Sequence, residues 1–297
     1  MCKEQIRQLI ESRTDQDGLT ATGIKGVRLF RATQAIPCVP AVYEPSVVAI
    51  VSGAKEAVLD GERHVYDSSH YLCCPMSMPV QAGTPTASPD NPLFGVYVSL
   101  DQRMMTELTL EMENLGDYVP MGKGSLPAQG IRLAHWDDAF SDALLRLLQL
   151  GQNETDTAVL GDARLRELSF AILKGEAGSF ARQAYRAGNA IARSIAHVSS
   201  HLDAPISIDE MATRAGMSRA VFHRKFKQVT TMAPIQFVKS MRLNNAAMKI
   251  AGGMTVNEAA IDVGYVSPSQ FSREFKRMYG QSPRQWSDGH QVAIGVA

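Results

Sequence analysis

The chain has 297 residues, enough for two domains that each bury a core, and its 45% hydrophobic and 20% charged residues are ordinary for a globular protein. It has no run of about 18 apolar residues, and its first residues carry acids where a secretory signal has an apolar core, so we predict no membrane span and a cytoplasmic location. The net charge of zero conceals a division, because residues 1–180 hold 15 Lys and Arg against 23 Asp and Glu (−8), whereas residues 181–297 hold 15 against 7 (+8).

Residues 41–100 have the pattern of short strands separated by turns. Strands are predicted at 47–51, 56–59, 62–66, 71–74 and 93–100. The first is a continuous apolar run, typical of a buried strand, and Asp60-Gly61 between the second and the third is a strong signal for a β-hairpin. Strands this short and this closely spaced predict a small barrel or sandwich.

The interior of such a barrel is a candidate site for a small, largely apolar effector. If alternate strand residues point inward, the lining consists of Val48, Ile50, Leu72, Cys74, Phe94 and Val96. A register error of one residue would invert this list, and a small barrel can also fill its interior with its own side chains. Input from a partner protein or from oxidation of Cys73 and Cys74 therefore stays open, although adjacent strand residues face opposite ways and a bond between them would be strained.

This half of the sequence shows no catalytic or metal-binding constellation. Cupin enzymes hold a metal with two histidines and a carboxylate, but His64 and His70 lack the close His-x-His spacing, and the four cysteines match no metal-site spacing. A nucleophile elbow and a phosphate-binding glycine loop are also missing. We therefore predict no catalytic residue, no metal and no cofactor, and we keep as the rival class a small-molecule enzyme or metal-dependent cupin in which the other half of the chain is an accessory domain.

Three helices are predicted after the strands, at 101–114, 137–150 and 157–174. The second is crowded with Leu144, Leu145, Leu147 and Leu148. Helices this apolar need a partner, which is either the barrel or a second subunit, and the number of leucines favours a homodimer. Residues 175–188, which begin Gly-Glu-Ala-Gly-Ser, are predicted to be a linker.

The basic half contains an internal repeat with an offset of 49 residues. Ser218, Phe222, Arg224, Phe226 and Lys227 recur as Ser267, Phe271, Arg273, Phe275 and Lys276. The register continues downstream, where Pro234 is matched by Pro283. One supersecondary unit therefore occurs twice.

Each copy has the pattern of helix, turn and helix. Gly216 in the first copy and Gly264 in the second follow a short helix, where the backbone needs conformational freedom. Ser218 and Ser267 are suitable N-caps for the helices that follow, and Pro268 falls at a first helical position, where proline is tolerated. A short turn containing glycine between two helices is the helix-turn-helix pattern.

Helix geometry separates two faces on the second helix of each unit. The predicted core stripes are Phe222, Phe226 and Val229 in the first unit and Phe271, Phe275 and Met278 in the second. The opposite faces carry Ala220, His223, Arg224 and Lys227 in the first unit and Ser269, Ser272, Arg273 and Lys276 in the second. Small side chains beside an arginine suit a DNA major groove, whereas Lys227 and Lys276, one turn further, suit phosphate. A merely solvated basic face is the alternative, and the duplication argues against it.

One long helix is predicted between the units, from 234 to 250. It is apolar on two sides, with Ile235, Val238, Leu243, Ala246 and Ile250 on one and Phe237, Met241 and Met248 on the other. A helix with two apolar faces should lie between two packed bodies. This spacer would hold the two outward-facing helices in successive major grooves on one face of DNA.

Residues from about 189 to 286 resemble the DNA-binding domain of AraC-type (AraC/XylS) transcription regulators. The resemblance is closest from Ala259 to Tyr265 and at the second-unit residues named above, ending at Gly280-Gln-Ser-Pro283. It implies that Arg219, Ala220, His223 and Arg224 face bases in the first unit and Ser269, Gln270, Ser272 and Arg273 in the second. Ala220 departs from members with a large side chain there, so it offers DNA only a methyl group.

The acidic half resembles the amino-terminal domain of one AraC-family branch, at Tyr43-Glu-Pro45, at Ile50 to Lys55, and at Tyr71-Leu72, Pro79 and Ala87-Ser-Pro89. This implies a cupin-like barrel with helices, used for effector sensing and dimerisation. We therefore predict an α+β chain with a regulatory domain at 1–174, a linker at 175–188 and an all-α double helix-turn-helix domain at 189–290. The expected partners are promoter DNA, a second copy of the chain, RNA polymerase and a small-molecule effector, and an architectural binder without sequence preference is a further alternative.

Overall fold

The computed structural model describes residues 2–117, 130–151, 153–186 and 189–289. These form an N-terminal part of strands and helices and a C-terminal part of helices, so the predicted α+β class is confirmed. The elements of the first part are α1 (Cys2–Glu11), β1 (Gly18–Ala21), β2 (Val27–Ala32), β3 (Ile36–Tyr43), β4 (Ser46–Ser52), β5 (Ala54–Leu59), β6 (Glu62–Asp67), β7 (His70–Cys74), β8 (Met78–Thr84), β9 (Leu93–Ser99), α2 (Gln102–Asn114), β10 (Arg132–His135), α3 (Asp138–Leu150), α4 (Glu154–Lys174) and α5 (Gly178–Tyr185). Those of the second are α6 (Ala190–Ser200), α7 (Ile208–Arg214), α8 (Arg219–Thr230), α9 (Pro234–Ala251), α10 (Val256–Asp262), α11 (Pro268–Tyr279) and α12 (Pro283–Gly289).

The strands form two antiparallel sheets instead of one closed barrel. One has the order β1-β2-β9-β4-β7-β10, and the other has the order β3-β8-β5-β6. Side chains of both sheets belong to one buried core, as in a cupin-like double sheet. The predicted hairpin joins β5 to β6, and positive φ angles of 51° at Asp60 and 83° at Gly61 fit its two-residue turn.

The register of the larger sheet divides the predicted effector-pocket residues between two faces. Val48 of β4 lies opposite Leu72 of β7, and the residues on their side are Val48, Ile50, Leu72 and Cys74. Val96 of β9 instead lies opposite Ala49 of β4, and on its other side Ala49 lies opposite Tyr71 of β7. The Tyr71 ring stacks on Phe140 of α3 at 4.2 Å, so Val96, and with it Phe94, belongs to the face that the helices cover. The structure therefore brings together four of the six residues and not all six.

Helix α1 packs on β4 and β9 of the larger sheet and on α3, and α3 also packs along α4. Leu144, Leu145, Leu147 and Leu148 are all buried inside the protomer. A second subunit is therefore not needed to cover them, and that reason for expecting a dimer is wrong.

The segment predicted as a linker contains helix α5. Phe180, Ala181 and Tyr185 of this helix are buried, and the helix packs on α2 and α4. Residues 187 and 188 of the predicted linker, and residue 290 at the predicted domain end, lie outside the described residues. No described helix is both long and apolar enough to cross a membrane.

The long helix α9 lies between the two helix-turn-helix units, as its two apolar sides predict. Phe237 and Met241 share a core with Phe222 and Phe226 of α8, and a second core joins Leu243, Ala246 and Ile250 to Phe271 and Phe275 of α11. Two predicted core residues are instead exposed: Ile235 in the first turn of α9 is 46% exposed and Met278 in the last turn of α11 is 38% exposed. Each stands at the end of its helix, beyond the packed turns.

Helix α9 also packs against the smaller sheet of the N-terminal part, through strands β3 and β8. Val39 of β3 is buried in the same core as Leu243 and Phe271. The two parts of the chain therefore share a packed interface in which α9 contacts both helix-turn-helix units and the sheet.

Candidate nucleic-acid interface

The first helix-turn-helix unit, α7–α8, is built by two serine caps and a glycine in the left-handed conformation. The Ser207 hydroxyl accepts a hydrogen bond from the backbone N–H of Glu210, and Ser218 accepts one from Val221 at 3.5 Å. Gly216 between the helices has φ +65°, which favours glycine. The caps fix where α8 starts, and therefore which side chains it turns outward.

The two faces of α8 lie as predicted. Phe222 and Phe226 are fully buried, and Val229 is half-buried. The outward residues, all exposed, are Arg219, Ala220, His223, Arg224 and Lys227. The helix therefore presents two arginines and a lysine to solvent beside one small side chain.

The second unit, α10–α11, repeats this construction with a full capping box. Thr255 accepts from the Glu258 backbone, and the Glu258 carboxylate accepts from the Thr255 backbone in return. Ser267 caps α11, and Phe271 and Phe275 are fully buried. The outward residues are Ser269, Gln270, Arg273 and Lys276, which are exposed, and Ser272, which is half-buried.

Two of the outward residues already have partners within the protein. The Arg219 guanidinium lies 3.1 Å from the Asp209 carboxylate, and both side chains are largely exposed. The Gln270 amide donates to Glu274 at 3.3 Å. By contrast, no described residue forms an ion pair with Arg224, Lys227, Arg273 or Lys276. Those four cations are available to an external anion. Arg219 would first have to leave the Asp209 carboxylate.

Glu274 positions α11 and was not anticipated from the sequence. Its carboxylate accepts hydrogen bonds from Lys239 of α9 at 3.2 Å and from the Tyr265 hydroxyl at 2.8 Å, as well as from Gln270. Burial raises the pKa of Glu274, but these hydrogen bonds together outweigh burial and hold it below its ordinary value. The repeat contained a signal for this role, because an acid stands where the first unit has Lys225.

Arg242 of α9 ties the first unit to the second. Its guanidinium donates to the carbonyls of Leu202 at 3.0 Å and Ala204 at 2.7 Å, in the loop before α7. That loop lies directly over Gly264, where a Cβ would stand 2.5 Å from the Leu202 oxygen. The two units are thus packed through a contact that only a glycine allows.

The N-terminal part contains a buried lysine and a surface groove. Lys55 is 4% exposed, and burial lowers its pKa to about 7, with the ammonium 5.5 Å from the centre of the Phe30 ring. A groove of about 760 Å³ lies between the β1–β2 turn and the first half of α4, and it is lined in part by Lys25, Asn153 and Asp162. The six predicted effector-pocket residues are not among those that line this groove.

The described thiols and histidines of the N-terminal part lie in separate surroundings. Cys73 and Cys74 are buried, and burial raises the pKa of Cys73 to about 12, which keeps this thiol protonated at neutral pH. His70 lies 3.3 Å from Asp67, and its ring is 4.4 Å from that of His135. The described residues contain no group of three or more His, Cys, Asp or Glu side chains arranged to hold a metal.

Comparison with known families agrees with this geometry in both parts of the chain. The model of the AraC-type transcriptional regulator N-terminus matches residues 23–180, more than half of the chain, and a helix-turn-helix domain model matches residues 211–289. The regulatory protein SoxS of Escherichia coli is 32% identical over 93 residues, which cover 31% of this chain and 87% of SoxS. The transcriptional regulator MtrA of Neisseria gonorrhoeae is 38% identical over 81 residues, 27% of each chain.

Among solved structures, ToxT from Vibrio cholerae has a similar fold over nearly its whole length. Its complex with (E)-4-(8-methylnaphthalen-1-yl)but-3-enoic acid covers 92% of this chain and 99% of ToxT, with a TM-score of 0.55 and 12% identity. A complex with an unsaturated fatty acid covers 95% and 99%, with a TM-score of 0.54 and 12% identity. At this identity the similarity concerns the fold. The two family matches show that the chain belongs to the AraC-type transcriptional regulators and is a DNA-binding transcription regulator with an N-terminal regulatory domain.

Proposed function

We propose that α8 and α11 enter successive major grooves on one face of promoter DNA and read its sequence there. The supporting observation is that two repeated units, packed on one helix, each turn an unpaired arginine and lysine outward on the side opposite their buried phenylalanines. Spacing by a rigid element is what lets two such helices read neighbouring grooves.

Base readout is assigned to the residues nearest the start of each helix. These are Arg219, Ala220, His223 and Arg224 in α8 and Ser269, Gln270, Ser272 and Arg273 in α11. An arginine can bind guanine through two hydrogen bonds, and small residues allow the helix to approach closely. Lys227 and Lys276 are assigned to phosphates.

The test compares arginine variants with lysine variants on a DNA site selected in vitro. Arg224→Ala or Arg273→Ala should cost about 1–3 kcal/mol of binding free energy and relax the preference at a few base pairs. Lys227→Ala and Lys276→Ala, the matched controls, should weaken binding to every sequence alike and reduce the slope of log affinity against log salt by about 1.

Fluorescence anisotropy over a salt series separates these outcomes. Unchanged affinity when Arg224 and Arg273 are both replaced would refute the assigned face. Strong salt dependence without sequence discrimination in the unmodified protein would instead indicate an architectural binder.

We also propose that the chain is not an enzyme and works in the cytoplasm, with RNA polymerase, a second copy of itself and a small-molecule effector as partners. The proposed regulatory domain spans residues 1–174, residues 175–188 connect it, and residues 189–290 bind DNA. Metal analysis of the purified protein tests the first point, since about one equivalent of iron, manganese or zinc would favour the rival cupin enzyme.

The effector is proposed to lie between the two sheets, against Val48, Ile50, Leu72 and Cys74. Support comes from the fold shared with ToxT, whose two complexes contain carboxylic acids with apolar bodies. A ligand that favours the folded state must raise the midpoint of thermal unfolding. A metabolite panel should therefore contain a compound that raises the midpoint of the unmodified full chain and not that of Leu72→Trp, whose larger side chain would occupy the proposed site. A panel without any shift would contradict an effector site.

A further inference from the structure

Asn244, in the middle of α9, connects the N-terminal sheet to the DNA-binding part. Its side chain is 2% exposed, and its amide nitrogen donates to the carbonyls of Ala41 and Val80, both at 2.8 Å. Those two residues lie opposite each other in β3 and β8. The side chain therefore bonds to two strands of the regulatory domain at once.

The oxygen of the same amide connects to the second reading helix. The Tyr279 hydroxyl donates to it at 2.6 Å, and Tyr279 is the last residue of α11. The Tyr279 ring packs on Phe275 and Trp286, with ring centres 4.6 Å and 5.5 Å apart. Both donors and the acceptor of the Asn244 amide are used, as a buried amide requires, so losing any partner leaves a buried polar group unsatisfied.

Apolar contacts also join the sheet to the second helix-turn-helix unit, at the junction formed by Asn244. Val39 of β3 is buried in the core formed by α9, α10, α11 and α12, beside Leu243 and Ala246. The sheet thus contributes a side chain to the interior of the second unit as well as two carbonyls to Asn244.

The junction leaves the proposed DNA face open. Arg273 and Lys276 project from the side of α11 opposite Phe275, and both are exposed while the sheet is docked. The proposed DNA face of α11 is therefore accessible while the sheet is docked.

We propose that Asn244 is a positioning residue through which the regulatory domain sets the orientation of α11, so that this contact acts on the second helix-turn-helix unit. The inference rests on the proposed function, because it takes α11 to be a reading helix. A change in the sheet at Ala41 or Val80 would reach DNA through Asn244 and Tyr279.

The test uses the full chain with two variants and a matched control. Tyr279→Phe removes the hydroxyl link and keeps the Asn244 bonds to the sheet, whereas Asn244→Asp removes both donors at almost constant volume. Asn245→Asp is the control, because the neighbouring Asn245 amide donates to Met241 within α9 and makes no contact with the sheet that the described residues record. Thermal unfolding identifies any variant that fails to fold, and Tyr279→Phe then carries the test.

Affinity is measured for the complete DNA site and for a site whose second half is scrambled. Tyr279→Phe and Asn244→Asp should each weaken binding to the complete site about threefold to tenfold and leave the scrambled site unchanged. In an Arg273→Ala background the loss should largely disappear, and in an Arg224→Ala background it should persist. The control should behave like the unmodified protein.

Equal losses on both DNA sites, or no loss on the complete one, would overturn the positioning role. If Arg273→Ala binds DNA with normal affinity, that result counts against the proposed DNA face and not against the role of Asn244. The role of Asn244 is tested separately, by comparing the two DNA sites.

Discussion

The two glycines of the repeat occupy equivalent positions and experience different surroundings. Gly216 and Gly264 both have positive φ, at +65° and +84°. No atom lies within 4 Å of a Cβ built on Gly216, whereas a Cβ on Gly264 would stand 2.5 Å from the Leu202 carbonyl oxygen and 2.9 Å from the Arg242 guanidinium. The same sequence signal thus supports a free turn in one unit and a packed contact in the other.

We expect Gly216→Ala to lower the free energy of unfolding by about 1–2 kcal/mol, the usual strain of an alanine in a left-handed conformation. Gly264→Ala carries this strain and must also displace the Leu202 backbone, which adds about 1–3 kcal/mol. Urea unfolding of the two variants measures the difference. Equal destabilisation would show that the loop before α7 does not rest on Gly264.

At the scale of elements, the sequence predicts those helices best whose ends carry caps. Ser218 and Ser267 each mark a helix start that the structure confirms. Helix α5 was missed because Gly175 and Gly178 resemble a linker, and only the close approach of Gly178 to the Leu173 carbonyl explains a glycine there.

The faces of a strand are harder to predict than its position. The pattern of β9 indicates a buried strand and both faces are apolar, so nothing local shows that Val96 turns toward the helices and Val48 toward the other sheet. Pairing with β4 decides this, and pairing is a long-range property. For the same reason the link between Asn244 and β3, 203 residues apart in sequence, could not be predicted.

Helix α4 exposes apolar side chains on one side, which we propose as a contact with a second copy of the chain. Val159 is 73% exposed and Phe170 44% exposed, and at about 100° per residue they fall on the same side as Ala163 and as Arg166, whose guanidinium is paired with Glu111. If two copies pair symmetrically, the dimer contact would lie on this side of α4. The leucines of α3 would not take part, because they are already covered.

We expect light scattering at micromolar concentration to give twice 32.3 kDa for the unmodified chain and 32.3 kDa for Val159→Glu with Phe170→Glu. Thermal stability of the monomer should change little, because both side chains lie on the surface. Ile261→Glu, at an exposed position of α10, is the control and should remain dimeric. A 32.3 kDa species in the unmodified protein would count against the dimer.

At the scale of the whole molecule, an acidic regulatory part and a basic reading part share a buried interface centred on α9. The helix contacts α8, α10 and α12 as well as β3 and β8. Because α9 is a single packed helix of 18 residues that contacts both helix-turn-helix units, it holds α8 and α11 at a fixed distance within the protein.

The most direct test of the account changes the distance between the two halves of a selected DNA site. Inserting about 5 base pairs, half a helical turn, moves the second major groove to the opposite face of the duplex. We predict that affinity falls to that of a site with one scrambled half, and that Arg273→Ala no longer weakens binding to the lengthened site. Retention of full affinity after the insertion would contradict two reading helices held at a fixed spacing on one face of DNA.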